Sequence, residues 1–381
     1  MADGMAFFEI IKKSKKTKAR TGVLHTPHGD IFTPAFVPVA TKGTLKTIPP
    51  KDFKGVGTQV AFVNTFHLTL HPGVDVIKAF GGIHNYTKLP IPLMSDSAGF
   101  QVFSLGGKKK IKTREGDEGL LLGISEEGVR FRSPRDGKEF LFTPEISMRN
   151  QEKIGADILM AFDECIPSGV DYAYAKQATQ RTHDWLLRCI QAKRRKDQRL
   201  YGIIQGGVYK DLRIQSAQFV SEQNIDGIAI GGVSVGETKK EMQEQVGWVA
   251  RYLPEKLPRH LLGIGRIEDI QKFVKLGIDT FDCVEATRLA RNGVVFQTLR
   301  LRSGQEHFQR IDLLKAKYLK DRHPIQSSCA CYTCTNFSLS FLHHLYKEKE
   351  LLGYYLATYH NLFFFEQYFK TLRENIAQGK L

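Results

Sequence analysis

Four side chains of the kinds that bind metal ions lie close together near the C-terminal end of the sequence. Cys329, Cys331 and Cys334 fall within six residues, and 25 residues separate Cys334 from His360. Three cysteines and one histidine are a typical ligand set for a tetrahedral structural zinc ion, and a fourth protein ligand leaves no position open for catalysis. The pattern therefore predicts one structural Zn2+ ion, which would stabilise the segment 327–360. The alternative is three reduced cysteines and an unrelated histidine of the core.

Polar or small residues follow the apolar runs of the sequence at the points where those runs end. In a barrel of parallel strands such positions ring the C-terminal mouth, where the chemistry of that fold is found. A helix N-cap would explain any one aspartate among them, but it explains the whole set poorly. We therefore expect an active site there. The residues concerned are Asn64, Asp96, Asp163, Gln205, Gly231, Gly232, Gly265 and Asp282.

Two of these carboxylates are suited to breaking and remaking a bond to a sugar carbon. Such chemistry uses one carboxylate as a nucleophile that forms a covalent intermediate, and a second group that moves protons. Asp282 has the apolar sequence setting expected for the nucleophile. Asp96 lies among small residues that allow close approach of a ligand, and Phe100 nearby could stack on a planar base. Two aspartates far apart in sequence also have many structural explanations, so the pair is a hypothesis at this point.

Eight short apolar runs, separated by segments of helical character, predict the elements that position these residues. Runs of this kind are typical of buried parallel strands. Eight of them favour a closed (β/α)8 barrel of the α/β class, with an open doubly wound sheet as the main alternative. The runs are 35–39, 60–63, 91–94, 158–162, 200–204, 227–230, 260–264 and 278–281.

One stretch interrupts the barrel pattern. Polar and apolar residues alternate over 124–142 around the segment 133–137, whose Asp-Gly pair is typical of a hairpin turn. We predict an antiparallel insertion near residues 106–143 within a barrel domain of residues 1–310. A zinc-binding helical subdomain is predicted for residues 311–381, packed on the barrel.

The charge of the chain favours a polyanionic partner. The formal net charge is +15, and basic residues cluster at 12–18, 108–110 and 193–196. Such an excess suits nucleic acid, because each phosphate that is neutralised releases condensed counterions. Arg288 and Arg291, shortly after Asp282, could hold phosphates that flank a reacting nucleotide. A solvated basic surface is the alternative explanation.

The sequence gives no indication of a membrane protein. Hydrophobic residues make up 42% of the chain and charged residues 25%, which is typical of a globular protein with a sizeable core. No apolar run reaches the roughly 20 residues that a bilayer span requires, and the N-terminus lacks the apolar region of a signal peptide. We therefore predict a cytoplasmic protein that does not associate with a membrane.

Five motifs, together with the cysteine and histidine pattern, carry a resemblance to a known family. From about residue 22 to the C-terminal helix, the sequence resembles the tRNA-guanine transglycosylase (queuine tRNA-ribosyltransferase) family. The cysteine and histidine pattern agrees in order and spacing. The other matching motifs are TPAFVPV at 33–39, SDSAGFQ at 95–101, FDEC at 162–165, YGIIQGG at 201–207 and FDCV at 281–284.

The resemblance implies a role for each matching residue. Asp282 would attack C1′ of the wobble guanosine and expel guanine, and Asp96 would be the general acid and base. Asp163, Gln205 and the backbone of Gly232 and Val233 would read the polar edge of the base. The remaining base contacts implied are Ser97, Phe100, Cys165 and Leu262, of which Phe100 and Leu262 would sandwich the ring. Contacts with the anticodon loop are implied for Thr287, Arg288 and Arg291.

The resemblance also implies the partners. The RNA would be a tRNA with a GUN anticodon (those for Asn, Asp, His and Tyr), the bases would be guanine and a 7-deazaguanine, and the enzyme would be a homodimer in queuosine biosynthesis. Bacterial members insert preQ1 and eukaryotic members insert the larger queuine. Val235 and Cys165 resemble the bacterial pocket, because the queuine enzymes carry glycine at the position of Val235. We therefore predict preQ1.

The sequence departs from the family pattern at three places. Ala98 stands where the family generally has glycine, and Phe100 stands where bacterial members usually have tyrosine. Glu285-Ala286 replaces the common Leu-Pro. Ala98 could narrow the pocket, and Phe100 lacks a hydroxyl group.

Four alternatives remain open at this level: the same reaction with queuine, a non-catalytic tRNA-binding paralogue, the archaeal relative that modifies the D-arm, and a barrel glycosidase. Retention of Asp96 and Asp282 argues against the paralogue. Extra C-terminal domains are expected of the archaeal relative, and a basic surface with a zinc module fits a glycosidase poorly.

Overall fold

A computed structural model describes residues 6–99, 110–113, 116–134, 136–300 and 306–381. The chain begins with an antiparallel sheet of three strands, β1 (Phe8–Lys13), β2 (Arg20–Thr26) and β3 (Gly29–Thr33), in the order β1-β2-β3. Phe8 pairs with Leu24, and Leu24 pairs with Ile31. Leu24 and Ile31 are fully buried in one cluster with residues of the barrel interior, including Ile158 and Tyr201. The sheet therefore covers the end of the barrel at which the strands begin.

Eight parallel strands form the barrel, as the apolar runs predict. Along the sheet they are hydrogen-bonded in the order 35–38, 280–283, 259–261, 227–230, 199–204, 158–160, 93–95 and 61–63. A parallel bridge between Val39 and Phe62 joins the first strand of this order to the last. The (β/α)8 fold is therefore confirmed. Each strand begins and ends within three residues of its predicted run. The strands are β4 (Ala35–Pro38), β5 (Ala61–Val63), β6 (Leu93–Ser95), β12 (Ile158–Met160), β13 (Arg199–Ile204), β14 (Gly227–Ile230), β15 (Arg259–Leu261) and β16 (Thr280–Cys283).

Helices surround the barrel and return the chain to the start of each next strand. Several have well-formed N-caps: Thr143, Asp171 and Thr238 each accept a hydrogen bond from the backbone N–H three residues later. In the described part of the chain up to residue 291, the α-helices are α1 (Phe53–Val56), α2 (Thr65–Leu70), α3 (Val74–Ala79), α4 (Ile83–Thr87), α5 (Pro144–Ile154), α6 (Tyr172–Ala192), α7 (Lys210–Ser221), α8 (Lys239–Ala250), α9 (Ile267–Lys275) and α10 (Glu285–Arg291).

The predicted antiparallel insertion lies between β6 and β12. Two short strands, β7 (Lys110–Thr113) and β8 (Gly116–Gly119), pair with each other. The strands β9 (Leu121–Ile124), β10 (Val129–Arg132) and β11 (Glu139–Phe142) form a second antiparallel sheet. Phe131 and Phe142 of this sheet are buried and contact Phe66 of α2, so aromatic packing attaches the insertion to the barrel.

A hairpin and a group of helices follow the barrel. The predicted division at residue 310 falls inside the second hairpin strand. The long helix at Leu351–Ala377 contacts the hairpin, α10, the barrel strand β4 and the neighbouring helices, so it ties the C-terminal segment to the barrel. The elements are β17 (Val294–Arg300), β18 (Glu306–Asp312), α11 (Tyr332–Asn336), α12 (Leu339–Lys347) and α13 (Leu351–Ala377). Among the described residues, no helix has the length and apolar character needed to cross a membrane.

Candidate active site

A cavity of about 910 Å³ lies at the mouth of the barrel, where the strands end. Its walls come from the ends of strands that are distant in sequence, because parallel strands of a barrel end at the same face. The strand ends therefore bring together most of the residues singled out by sequence. Those that line the cavity are Asn64, Asp96, Ser97, Asp163, Cys165, Gln205, Gly231, Gly232, Val233, Leu262, Gly265, Asp282 and Arg288.

Asp282 is held on one side by two hydrogen bonds. The His260 ring nitrogen Nε2 lies 3.1 Å from Asp282 Oδ1, and the Gly263 amide donates to the same oxygen at 2.8 Å. His260 is fully buried, and its Nδ1 lies 2.9 Å from the hydroxyl oxygen of Thr280. With the Thr280 hydroxyl donating to Nδ1, Nε2 can donate to Asp282, which fixes the carboxylate. Both bonds fall on Oδ1, so the described residues leave Oδ2 free to face a ligand.

Asp96 follows β6 directly and carries a strongly shifted pKa. Withdrawal from water raises the pKa of its carboxyl group to about 7, and the negative charges of Asp163 and Asp282 act in the same direction. The amides of Thr65 and Ala98 oppose the shift by donating to the carboxylate. A carboxyl group with this pKa can both give and take a proton near neutral pH.

The turn after Asp96 explains two of the small residues in the motif. Ala98 has a φ of 74° and is fully buried in the core, and its side chain is not part of the cavity wall. This left-handed conformation favours glycine, in agreement with the residue expected there. At Gly99, a Cβ atom would lie 2.1 Å from Asp163 Oδ1, so a larger residue would displace that carboxylate. Phe100 lies outside the described residues.

Asp163 lies three residues beyond the end of β12 and is held by two side chains. Gln205 donates to its Oδ2 at 2.8 Å, and the Ser97 hydroxyl donates to its Oδ1 at 3.1 Å. Burial raises the pKa of Asp163 to about 6, and these two hydrogen bonds oppose the shift. The group is therefore mainly ionised at neutral pH and can accept hydrogen bonds from a ligand.

The loop after β14 continues the cavity wall beside Gln205. Gly232 has a φ of 60°, and a Cβ atom there would lie 2.3 Å from Gln205 Oε1. Glu237 closes the loop by accepting hydrogen bonds from the amides of Ser234 and Val235. Glycine at 232 thus permits both the backbone turn and the close approach of the glutamine.

Cys165, Val235 and Leu262 supply apolar surface around these polar groups. Burial raises the pKa of the Cys165 thiol, which therefore stays protonated. Val235 and Leu262 are half-buried and line the cavity. Both bases considered above carry a flat ring, which an apolar wall of this kind suits.

The candidate RNA contacts differ in exposure. Arg288 is exposed at the edge of the cavity, and Arg291 is half-buried and donates to the Thr287 carbonyl at 2.9 Å. Thr287 is buried, and its hydroxyl lies 3.3 Å from the Val284 carbonyl within α10. Arg288 therefore offers a cationic group at the mouth, Arg291 lies at the end of the same helix, and the threonine supports the helix that carries both.

Two of the three basic clusters in the sequence lie at the other end of the barrel. The segment 193–196 joins α6 to the start of β13. In the segment 12–18, the Lys18 amide donates to the Lys275 carbonyl, just before β16 begins. Residues 108 and 109 of the third cluster lie outside the described part. The basic clusters of the sequence therefore do not indicate where the cavity lies. The basic residues that line it are Lys239, Arg266 and Arg288.

The four predicted metal ligands meet in the C-terminal segment. Their ligand atoms lie within 4.8 Å of one another. His360 Nδ1 lies 3.9, 3.5 and 3.2 Å from the sulfur atoms of Cys329, Cys331 and Cys334. A tetrahedral zinc ion with bonds of about 2.3 Å to sulfur and 2.0 Å to nitrogen would place such atoms roughly 3.5 Å apart. His360 Nε2 donates to the Phe296 carbonyl at 2.7 Å, so Nδ1 is the nitrogen available to a metal.

A second group of possible ligands lies at the barrel end opposite the mouth. His28 Nδ1 is 2.7 Å from one oxygen of Asp157, and His84 Nε2 is 3.5 Å from the other. The two imidazole rings stack at 3.4 Å and are nearly parallel, and His84 Nε2 also faces the Ile91 carbonyl at 3.1 Å. Stacked rings do not direct their lone pairs to one point, so we interpret this group as a hydrogen-bonded cluster.

Two residues that shape the site were missed by the sequence reasoning. His260 lies within an apolar run, and a polar side chain inside a buried strand was the available signal. Arg213 lies on a helix, far from every motif considered, and only the fold shows that it contacts the cavity loops.

Comparison with known proteins gives consistent matches over the whole fold. A family model described as Queuine tRNA-ribosyltransferase matches residues 14–381. A protein of that name from Herpetosiphon aurantiacus is 46% identical over 363 residues, which cover 95% of this chain and 87% of the relative. Relatives of the same name from Caldanaerobacter subterraneus and Pelotomaculum thermopropionicum are 42% and 43% identical. Each match covers 98% of this chain, and 94% and 95% of the respective relatives.

Proposed function

Because the chain belongs to the queuine tRNA-ribosyltransferase family and is a tRNA-guanine transglycosylase of queuosine biosynthesis, we propose that its barrel mouth exchanges the wobble guanine of tRNA for preQ1 through a covalent intermediate on Asp282. The observation that supports this most directly is the arrangement of carboxylates in the cavity. Asp282 is fixed by hydrogen bonds to one of its oxygens, and Asp96 has a pKa near neutrality.

Asp282 is the proposed nucleophile. Its Oδ2 would form a bond to C1′ of the ribose while the bond from C1′ to N9 of guanine breaks, and the electron pair of that bond leaves with the base. His260 and Gly263 hold Oδ1, so the carboxylate is oriented before the tRNA binds.

Asp96 is the proposed general acid and base. In its protonated form it would donate a proton to the departing guanine, and as a carboxylate it would take the proton from the incoming base before that base attacks C1′. A pKa of about 7 makes both forms available at neutral pH.

The polar wall is complementary to a guanine-like base. Such a base presents N–H donors beside one carbonyl oxygen. Asp163 would accept hydrogen bonds from the donors, together with Gln205 Oε1, which is buried and has no hydrogen-bond partner among the described residues. The amides of Gly232 and Val233 would donate to the carbonyl, and Leu262 would pack on one face of the ring. Phe100 is proposed for the other face, and Ser97 and Cys165 complete the contacts.

The size of the pocket wall favours preQ1 over queuine. Val235 is half-buried in the cavity wall, and its side chain takes up space that the cyclopentenediol of queuine would need. Cys165 is compact and buried beside Gly232. The pocket therefore suits the smaller base.

Contacts beyond the base are proposed for the anticodon loop. Arg288 and Arg291 would bind phosphates of a tRNA with a GUN anticodon (that of Asn, Asp, His or Tyr), and Thr287 would support them from within α10. An anticodon loop allows one base to be turned out into a pocket at low energetic cost. We further propose a homodimer and a cytoplasmic location, where tRNA is modified.

One structural zinc ion is proposed for the C-terminal segment. Cys329, Cys331, Cys334 and His360 would hold it, and the distances between their ligand atoms fit a tetrahedral ion. When bound, the ion would tie α11 and the preceding loop to α13. Four protein ligands leave it no role in the exchange reaction.

The exchange of labelled guanine tests this proposal. The enzyme is incubated with tRNA and radiolabelled guanine, and the labelled tRNA is then chased with preQ1 and, separately, with queuine. We expect labelling, followed by release with preQ1 alone. Release by queuine would contradict the proposed base preference, and absence of labelling by the intact metal-loaded protein would contradict the proposed reaction.

Matched variants locate the chemistry. Asp282→Asn is expected to bind tRNA without labelling it. Asp226→Asn makes the same change at the opposite end of the barrel, where Asp226 accepts from the Leu200 amide at 2.8 Å, and it is expected to label tRNA normally. Equal activity of the two variants would refute the role of Asp282.

A further inference from the structure

Arg213 is a buried cation behind the wall of the base pocket. It lies on α7 and is fully buried. Its guanidinium group donates to the carbonyl oxygens of Gly207, Gly231 and Gly232 at 2.7, 2.6 and 2.6 Å, and to Gln245 Oε1 at 3.0 Å. All four acceptors are neutral, and in the described part of the chain no carboxylate accepts a hydrogen bond from it.

These hydrogen bonds determine which way two peptide groups face. In a trans peptide the carbonyl and the N–H point in opposite directions. Because the carbonyls of Gly231 and Gly232 point to Arg213, the amides of Gly232 and Val233 point away from it, toward the cavity. The Gly232 amide accordingly faces the Cys165 thiol, which also lines the cavity.

The cation also acts on the strength of these amides as donors. Burial lowers the pKa of Arg213 only to about 10, so it is charged at neutral pH. A charged donor on the carbonyl side of a peptide polarises that peptide and strengthens the hydrogen bond that its N–H donates. The third bond, to Gly207, links the same guanidinium to the loop that follows Gln205.

A buried guanidinium whose hydrogen bonds all go to neutral groups is costly, even with the charge of Glu237 nearby to stabilise it, and packing alone would not require it. The reaction proposed above supplies a reason. The departing guanine takes the electron pair of the glycosidic bond, and the resulting negative charge spreads to its carbonyl oxygen, which faces the two polarised amides.

We propose that Arg213 is a positioning residue for the nucleobase: it orients and polarises the Gly232 and Val233 amides so that they bind the carbonyl oxygen of the base most strongly as the base departs. This inference rests on the proposed function, and it adds a residue that does not touch the substrate.

The test compares two buried arginines. Arg213→Met removes the charge and the hydrogen bonds at the mouth. Arg259→Met is the matched control, because Arg259 is 5% exposed and also donates to backbone carbonyls, of Leu253 and Pro254 at 2.9 and 3.3 Å, at the end of the barrel where strands begin. Arg213→Lys keeps the charge but cannot reproduce the planar fork.

The first measurement is binding of guanine and of 2-aminopurine, which lacks the carbonyl oxygen. We expect Arg213→Met to weaken guanine binding by about tenfold or more while leaving 2-aminopurine unchanged, because only guanine uses the polarised amides. Arg259→Met is expected to keep the wild-type ratio of the two affinities, even if its Tm falls as much as that of Arg213→Met. An unchanged ratio in Arg213→Met would overturn the proposal.

The second measurement is steady-state base exchange. A loss of up to about 100-fold in kcat/KM for the base is expected for Arg213→Met, with an unchanged Kd for tRNA. If that variant does not fold, Arg213→Lys carries the test, and a wild-type affinity ratio in it overturns the proposal. A wild-type enzyme that binds guanine but does not exchange it would refute the proposed function and leave the affinity ratio as a separate result.

Discussion

Replacing His260 with phenylalanine removes one of the two hydrogen bonds that hold Asp282. The exchange is close in volume, and it preserves an aromatic ring next to Phe62, whose ring lies 5.8 Å from that of His260 at an angle of 24°. The Gly263 amide, 2.8 Å from Asp282 Oδ1, is unaffected. The substitution therefore changes the orientation of the nucleophile with little change in packing.

The size of the expected effect follows from the bond that is lost. A hydrogen bond to a charged group contributes about 1.5–3 kcal/mol. If this contribution is needed in the transition state, formation of the covalent intermediate should slow by about 10- to 100-fold. The remaining bond from Gly263 keeps the loss below that expected for removal of the carboxylate itself.

The rate is measured in a single turnover. Enzyme in excess is mixed with labelled tRNA, and the covalent complex is resolved on a denaturing gel at successive times. Thr280→Val is the control, because it removes the hydroxyl that meets His260 Nδ1 but leaves the ring in place, and it should slow the step by less than about tenfold. A His260→Phe rate within about twofold of wild type would refute the assignment of His260 as a support for the nucleophile.

Three further predictions concern other parts of the molecule. Burial raises the pKa of Glu366 to about 8 from its usual 4.5, against the effects of Arg373 and Thr58. The folded state therefore retains a proton that the unfolded state releases, and stability should fall as the pH rises from about 4.5 to about 8, by at most ~1.4 kcal/mol per pH unit. Glu366→Gln should flatten this dependence in urea unfolding at several pH values, and an equal slope in both proteins would contradict the assignment. Val235→Gly should allow queuine to release labelled guanine while preQ1 remains active, and continued rejection of queuine would show that another residue limits the pocket. Cys334→Ser should lower the bound zinc, measured by elemental analysis, and destabilise the chain by about 4 kcal/mol or more; full zinc content with unchanged stability would contradict the proposed ligand set.

The barrel could be predicted from the sequence because its signal is local. A strand buried on both faces has a continuous apolar run, and the polar residue that ends it marks the mouth. The N-terminal sheet gave a weaker signal. Phe8–Lys13 ends in two lysines and is largely exposed, so it lacks the continuous run by which the barrel strands were recognised.

The candidate site could be predicted only in part. Asp96 and Asp282 were identified as strand-end residues, and the metal ligands were identified by their spacing. Arg213 could not be found in this way, because its contacts are with backbone carbonyls, which have no sequence signature. The net charge was also a poor guide to position, since it adds the cations at both ends of the barrel.

The pKa values of Asp96 and Asp163 show why the chemistry of the site depends on the fold. Both carboxyl groups are withdrawn from water in one cavity, which raises the pKa of each. Hydrogen bonds from neighbouring groups oppose this rise at both carboxyl groups. The pKa is about 6 for Asp163 and about 7 for Asp96, which also lies near the charges of Asp163 and Asp282. Ionisation of Asp163 thus favours a protonated Asp96. The charge of the carboxyl group proposed to bind the base therefore helps to hold the pKa of the one proposed to move protons near neutrality.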